Sequence, residues 1–196
     1  MSLTVMPDPV LPEVLHVRAA RHGDARGWFS ETYNEAAFRA AGISAPFVQD
    51  NHSRSAEAGT LRGLHYQAPP YAQAKLVRCT RGRLLDVIVD IRKGSPRFGR
   101  HTTLELSEAE GTQVFVPEGF AHGFCTLEPG TEVTYKVSAG YAPGSDFGLA
   151  FDDPALGIAW PFLATELTLS DRDRKHPRLA ELPDYFGQAF AKTSKD

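Results

Sequence analysis

Lys75-Leu76-Val77-Arg78-Cys79-Thr80, then Arg81-Gly82, then Arg83-Leu84-Leu85-Asp86-Val87-Ile88-Val89-Asp90-Ile91 is the stretch that decides the fold. Both runs are short, apolar and rich in β-branched residues, and a glycine turn signal separates them. They predict two strands joined as a hairpin. Side chains alternate across a strand, so Leu85, Val87, Val89 and Ile91 share one face while Asp86, Ile88 and Asp90 share the other. Outward from this pair the same punctuation repeats. Residues 60–67, 101–106, 113–116, 119–127, 131–138 and 147–151 are further strand candidates between Gly, Pro and Ser. One early helix is predicted over residues 35–41, with Asn34 as its cap and Gly42 as its stop. Pro154, Trp160 and Pro161 close the strand region, and the tail from Ala164 is expected to pack back across it, with a short helix near Leu179. Regular short strands with turns between them predict an all-β sandwich or barrel.

The chain has 196 residues, without internal repeat or low-complexity tract, and is expected to form a single domain over residues 1–196. Its formal net charge of −3 argues against a nucleic-acid partner, which calls for a strongly basic face. No apolar run approaches the roughly 20 residues that cross a bilayer, so no membrane partner is expected. The first ten residues carry Asp8 and two prolines rather than a basic and then apolar leader. Cys79 and Cys125 are far apart, lack metal-ligand spacing and sit among apolar neighbours. Free buried thiols and a cytoplasmic location are the expectation.

The segment Arg62-Gly63-Leu64-His65-Tyr66-Gln67 is unusual for its polar side chains. Strand parity puts His65 and Gln67 on one face, with Gly63. Polar groups inside a barrel are costly unless they meet a ligand or one another; the alternative is a satisfied core histidine beside a solvated arginine. Lys75 and Tyr135 lie on other predicted strands. Arg62, His65, Lys75 and Tyr135 together supply two cations, an imidazole base and a phenol that is protonated at neutral pH. Such a set suits proton abstraction beside a carbonyl, where an enolate needs nearby positive charge. Metal binding is the rival use of His65 and His122. Neither has a second histidine or an acidic partner at metal-ligand spacing in the sequence, so no metal and no cofactor is expected.

Several short motifs occur in order. They are Arg26-Gly27-Trp28-Phe29-Ser30-Glu31, then Gln49, Asn51, Ser53 and Ser55, then Leu61 to Gln67, and Ala74-Lys75-Leu76-Val77. Asp86-Val87, Asp90-Ile91-Arg92, Ser95-Pro96 and Phe98-Gly99 follow. Pro117-Glu118-Gly119-Phe120-Ala121-His122-Gly123-Phe124, Tyr135-Lys136, Tyr141 and Trp160-Pro161 complete the set. Each is weak alone. As an ordered series over residues 24–173 they resemble the dTDP-4-dehydrorhamnose 3,5-epimerase family.

The resemblance implies a mainly β, cupin-type antiparallel barrel (a jelly roll) with a few short helices, forming a homodimer. It implies an isomerase that turns a dTDP-4-keto-6-deoxyhexose into dTDP-4-keto-L-rhamnose by inverting C3 and C5, because the C4 ketone acidifies both positions. On this analogy His65 removes protons, Tyr135 returns them, and Lys75 and Arg62 steady the developing oxyanion. Ser170-Asp171-Arg172-Asp173 resembles the family's segment that carries the aspartate partner of the histidine. Asp173 takes that role, and Arg172 stands where the family has lysine. The resemblance assigns Arg26, Glu31, Gln49, Asn51, Tyr141 and Arg172 to the nucleotide, some of them through the partner subunit. His122 either touches the sugar or braces the site. Arg26 with Glu31 as a surface pair, and Tyr141 as rim packing, are the plainer alternatives. Inversion at one carbon only, or sugar-nucleotide binding without turnover, are the rival functions.

Overall fold

The computed structural model describes residues 2–187. In chain order the strands are β1 (Leu3–Pro7), β2 (Leu15–Ala19), β3 (His22–Asp24), β4 (Gly27–Phe29), β5 (Gln49–Ser55), β6 (Leu61–Gln67) and β7 (Lys75–Arg81). They continue with β8 (Arg83–Asp90), β9 (His101–Ser107), β10 (Thr112–Val116), β11 (Phe120–Thr126), β12 (Thr131–Val137) and β13 (Asp146–Gly148). Helix α1 (Glu35–Ala40) falls between β4 and β5, and short 3-10 turns follow β12. The antiparallel strands form two main sheets, ordered β1-β2-β10-β7-β12-β5 and β13-β6-β11-β8-β9, while β3 and β4 make a separate hairpin. Among the described residues no helix is long and apolar enough to cross a membrane.

The two sheets face each other. Val77 and Cys79 of β7, Val114 of β10 and Val133 of β12 meet Leu84 and Ile88 of β8 and Phe120 and Phe124 of β11 in one core. Burying an aliphatic side chain of this size contributes roughly 1.5–3 kcal/mol relative to leaving it exposed. The other face of the five-stranded sheet is covered as well. Val87, Val89 and Ile91 pack with Leu149, Leu156, Leu179, Leu182 and Phe186 from the segment after β13. The tail is also tied along β6, where Leu61 N–H donates to Thr168 O at 2.9 Å. Met1 and residues 188–196 of the expected domain lie outside the described residues.

The predicted hairpin is corrected. β7 lies between β10 and β12, and β8 lies between β11 and β9 in the opposite sheet. The turn carries the chain from one sheet to the other. Gly82 sits there at φ +74°, and a Cβ would come 2.7 Å from Thr131 Oγ1. Each strand is paired on both edges, and local sequence does not say which strands supply the partners. The helix is also one residue shorter than predicted. Asn34 Oδ1 caps it by accepting from Ala37 N–H at 3.1 Å, and Ala41 is the C-cap before Gly42 at φ +90°. β13 ends at Gly148, although Leu149 still exchanges backbone hydrogen bonds with Leu64.

Candidate active site

β6 brings a basic pair into the space between the sheets by breaking its own alternation. His122 of β11 registers with His65, and Phe124 registers with Arg62. Two positions separate His122 from Phe124 on β11 but three separate Arg62 from His65 on β6, so β6 holds a one-residue bulge. Leu61 and Leu64 consequently both point outward into apolar clusters, and Arg62 joins His65 on the inner face. Parity alone had grouped Gly63 with His65. Gly63 instead lies against Gly123, where a Cβ would stand 2.6 Å from the Gly123 Cα; only glycine permits this approach.

The inner face opens into a cavity of about 270 Å³. Arg62, His65 and His122 line one wall; Lys75, Tyr135 and Ser53 line the facing sheet; Ser170, Arg172 and Asp173 close it from the tail. His65 Nε2 lies 2.6 Å from Asp173 Oδ1, with the histidine side chain 32% and the aspartate 6% exposed. A carboxylate only accepts, so Nε2 carries the proton and Nδ1 keeps a free lone pair. Burial pulls the His65 pKa below its ordinary value; Asp173 opposes that, while Lys75 and His176 add to it. Burial acts to raise the Asp173 pKa, but contact with His176 and His65 outweighs it and holds the carboxyl well below the usual range. This carboxylate stays ionised.

Lys75 Nζ donates to His65 O at 3.2 Å. Burial brings its pKa down to about 8, with Asp146 and Asp86 partly opposing. Tyr135 is pushed above the ordinary phenol value chiefly by burial, so it holds its proton at neutral pH. His122 Nε2 lies 2.8 Å from Asp86 Oδ2, both nearly fully buried. Arg172 donates to Asp146 Oδ2 at 2.6 Å and to Asp146 O at 3.0 Å.

Seven predicted site residues therefore share one cavity: Arg62, His65, Lys75, His122, Tyr135, Arg172 and Asp173. Three others gather away from that lining. Gln49 Nε2 donates to Asn51 Oδ1 at 2.9 Å, and Gln49 Oε1 accepts from Tyr141 N–H at 3.1 Å. Arg26 and Glu31 are not in this chain's own cavity. Arg26 is exposed at the β3–β4 turn and paired with Asp24, and Glu31 accepts from Asn34. Ser53, Phe124 and Ser170 line the cavity without having been singled out as site residues. Parity with Gln49 and Asn51 points to Ser53, whose buried Oγ has no hydrogen-bond partner among the described residues. His176 also was missed; it stands 3.4 Å from Asp173 Oδ1, and its spacing of three residues across a turn was the available signal. The group His65, Asp173 and His176 is the one His/Cys/Asp/Glu cluster among the described residues with metal-ligand proximity.

An imidazole base oriented by a carboxylate, a phenol on the opposite sheet and two cations beside them can move protons at a carbon next to a carbonyl. Comparisons with known proteins agree with that chemistry. The family model for dTDP-4-dehydrorhamnose 3,5-epimerase matches residues 9–181. The enzyme of that name from Sinorhizobium fredii is 51% identical over 176 residues, 90% of either chain. Among solved structures, a dTDP-6-deoxy-D-glucose-3,5-epimerase from Legionella pneumophila, in complex with dTDP-4-keto-L-rhamnose, aligns with a TM-score of 0.88. It is 38% identical and covers 93% of this chain and 95% of its own. A 3′-monoepimerase from Streptomyces bikiniensis in complex with dTDP-quinovose aligns at 0.83 with 38% identity, covering 89% of this chain and 87% of its own. With a family match across most of its length and a cupin-type jelly roll around the cavity, the chain belongs to the dTDP-4-dehydrorhamnose 3,5-epimerase family.

Proposed function

We propose that the cavity inverts C3 and C5 of a dTDP-4-keto-6-deoxyhexose, making this isomerase a 3,5-epimerase that yields dTDP-4-keto-L-rhamnose. The observation that carries the reading is the placement of the His65–Asp173 pair and the Tyr135 phenol on opposite sheets of one cavity. His65 Nδ1 takes the proton from the carbon beside the ketone, and the electron pair moves to the C4 oxygen. Lys75 and Arg62 hold that enolate oxygen or its neighbours by positive charge. Tyr135 then delivers a proton to the opposite face of the carbon, and the configuration is inverted. This leaves an imidazolium and a phenolate; the imidazolium gives its proton to solvent and the phenolate takes one from it before the second carbon reacts. None of these steps requires a metal or an organic cofactor.

Arg172, which lines the cavity, meets the diphosphate, and Gln49, Asn51 and Tyr141 take the thymidine. Arg26 and Glu31 do not line their own cavity and are exposed near Trp28 and Phe29, themselves 56% and 71% exposed. A second copy that receives this hairpin over its cavity accounts for both facts, so the active form is a homodimer. The free thiols Cys79 and Cys125 are buried, which suits a reducing cytoplasm.

The test is proton NMR of the enzyme with dTDP-4-keto-6-deoxyglucose in deuterated water. Deuterium at both C3 and C5, with the L-sugar appearing, is the expected result. The likeness to the Streptomyces bikiniensis 3′-monoepimerase makes exchange at C3 alone the rival outcome. No exchange at either carbon would leave a binding barrel. Sedimentation at micromolar concentration reads the dimer.

A further inference from the structure

Behind the His65–Asp173 pair stands a side chain that the proton transfers do not use. His176 follows a 3-10 turn over Asp173–Lys175 and comes back against the same carboxylate, its Nε2 3.4 Å from Asp173 Oδ1. Its side chain is 7% exposed, and that nitrogen has no hydrogen-bond partner among the described residues. The ring is held in place on two sides. A Cβ at Gly148 would lie 2.3 Å from its atoms, and it meets the His65 ring edge-on at 5.5 Å between centroids.

Three side chains thus converge from a strand and a tail turn: His65, Asp173 and His176 each offer a donor atom, and these lie within 4.8 Å of one another, with His65 Nε2 and His176 Nε2 at 2.6 and 3.4 Å from Asp173 Oδ1. We propose that they form an inhibitory site for a divalent transition-metal cation of the zinc type. Two imidazoles and one carboxylate suit zinc or cobalt and do not suit magnesium or calcium, which prefer all-oxygen cages. Tetrahedral bonds of roughly 2.0–2.2 Å hold neighbouring donors about 3.3 Å apart. The His176–Asp173 separation already has that value, and the 2.6 Å contact of His65 with Asp173 must open by about 0.7 Å. The ion enters through the cavity, where His65 is 32% exposed.

The cation takes the place of the proton between His65 and Asp173. Coordinated at Nε2, the imidazole is a poorer base at Nδ1, and turnover stops until the metal leaves. Lys75 beside His65 O adds a positive charge that weakens the hold, so binding is reversible. The ion is no cofactor: the chelated enzyme is the active one. The inhibitory half rests on the epimerase reading; the binding half does not.

Chelator-treated full-length protein titrated with Co²⁺ is expected to develop visible d–d absorption that saturates at one ion per chain, and Zn²⁺ should bleach it. H176N and H176Q, verified as folded by circular dichroism, should weaken Co²⁺ by at least about 100-fold, more than loss of a merely supporting contact costs. In both variants the ratio of turnover with and without Zn²⁺, taken against each variant's own zinc-free rate, should stay near one. Absence of stoichiometric cobalt binding, or equal affinity in wild type and both variants, overturns the site. Cobalt binding without zinc inhibition of an active enzyme overturns its inhibitory role. Because absorption is read on resting protein, cobalt binding by a chain that proves inactive toward the sugar would sink the epimerase reading and leave the metal site standing.

Discussion

Two histidine–carboxylate pairs stand next to each other in the cavity wall, and they are built differently. His122 and Asp86 belong to adjacent strands of one sheet, 2.8 Å apart at 7% and 0% exposure. His65 and Asp173 join a strand to a tail segment 108 residues away, 2.6 Å apart at 32% and 6% exposure. His65 and His122 are themselves register partners. The same pair of groups therefore occurs twice within one strand spacing, once sealed and once open. A sealed pair is fixed by its ladder and braces the sheet. An open pair presents an imidazole edge to whatever enters the cavity, and its carboxylate is set by how the tail docks. On the proposed function, exposure rather than the pairing itself separates the base from the brace.

The largest effect expected from this difference is on turnover. His65→Asn should lower kcat by roughly 10²- to 10⁴-fold, the usual contribution of a positioned base, with the melting temperature and dTDP affinity little changed. His122→Asn should do most of its damage to stability. It leaves Asp86 buried and unpaired, at a cost of roughly 3–5 kcal/mol, and Asp86 Oδ1 already lacks a partner in the native protein. Thermal denaturation and steady-state kinetics on both variants test the contrast. Full activity in His65→Asn, or a stable and inactive His122→Asn, would reverse the two assignments.

Tyr135→Phe sharpens the comparison from the other sheet. If the open pair removes protons and the phenol returns them, proton loss from C3 should continue in this variant while inversion at C5 falls by about 10²-fold or more. Deuterium incorporation at each carbon, followed by NMR, separates the two steps. Equal slowing at both carbons would show that Tyr135 is not a dedicated acid.

The sealed pair shows how much was legible in one dimension. Alternation in β8 put Asp86 and Ile88 on a common face, and the structure turns that face inward, because period-two patterning is a local property of a strand. Pairing is not local, and so the β7–β8 hairpin was wrong although both strands were right. The open pair was harder. Arg62 and His65 share a face only because of the bulge at Gly63, whose signal in the sequence was a glycine in each of two facing strands. Asp173 came within reach through resemblance alone, since a charged tail segment has no periodicity that marks it as docked. His176, one turn beyond, offered only its spacing of three residues from Asp173.

The smallest effect expected is on pH dependence, and its sign follows from the forces on His65. Burial lowers its pKa and Asp173 pulls it partly back. The native state therefore binds less proton than the unfolded chain just below the reference value of roughly 6.5. Stability from this group is fully present above that value and is lost as pH falls through the depressed native pKa. The acidic limb of kcat/KM reports the same titration and should lie below pH of about 6.5. Asp173→Asn removes the opposing influence, so the limb should move to still lower pH while the plateau drops through loss of imidazole orientation. In His122→Asn the limb should stay where it is, because the sealed pair does not carry the base. A pH–rate profile of the three proteins decides the matter. An acidic limb that rises in Asp173→Asn, or that follows His122 instead, would mean that the open pair is not the one that titrates in catalysis.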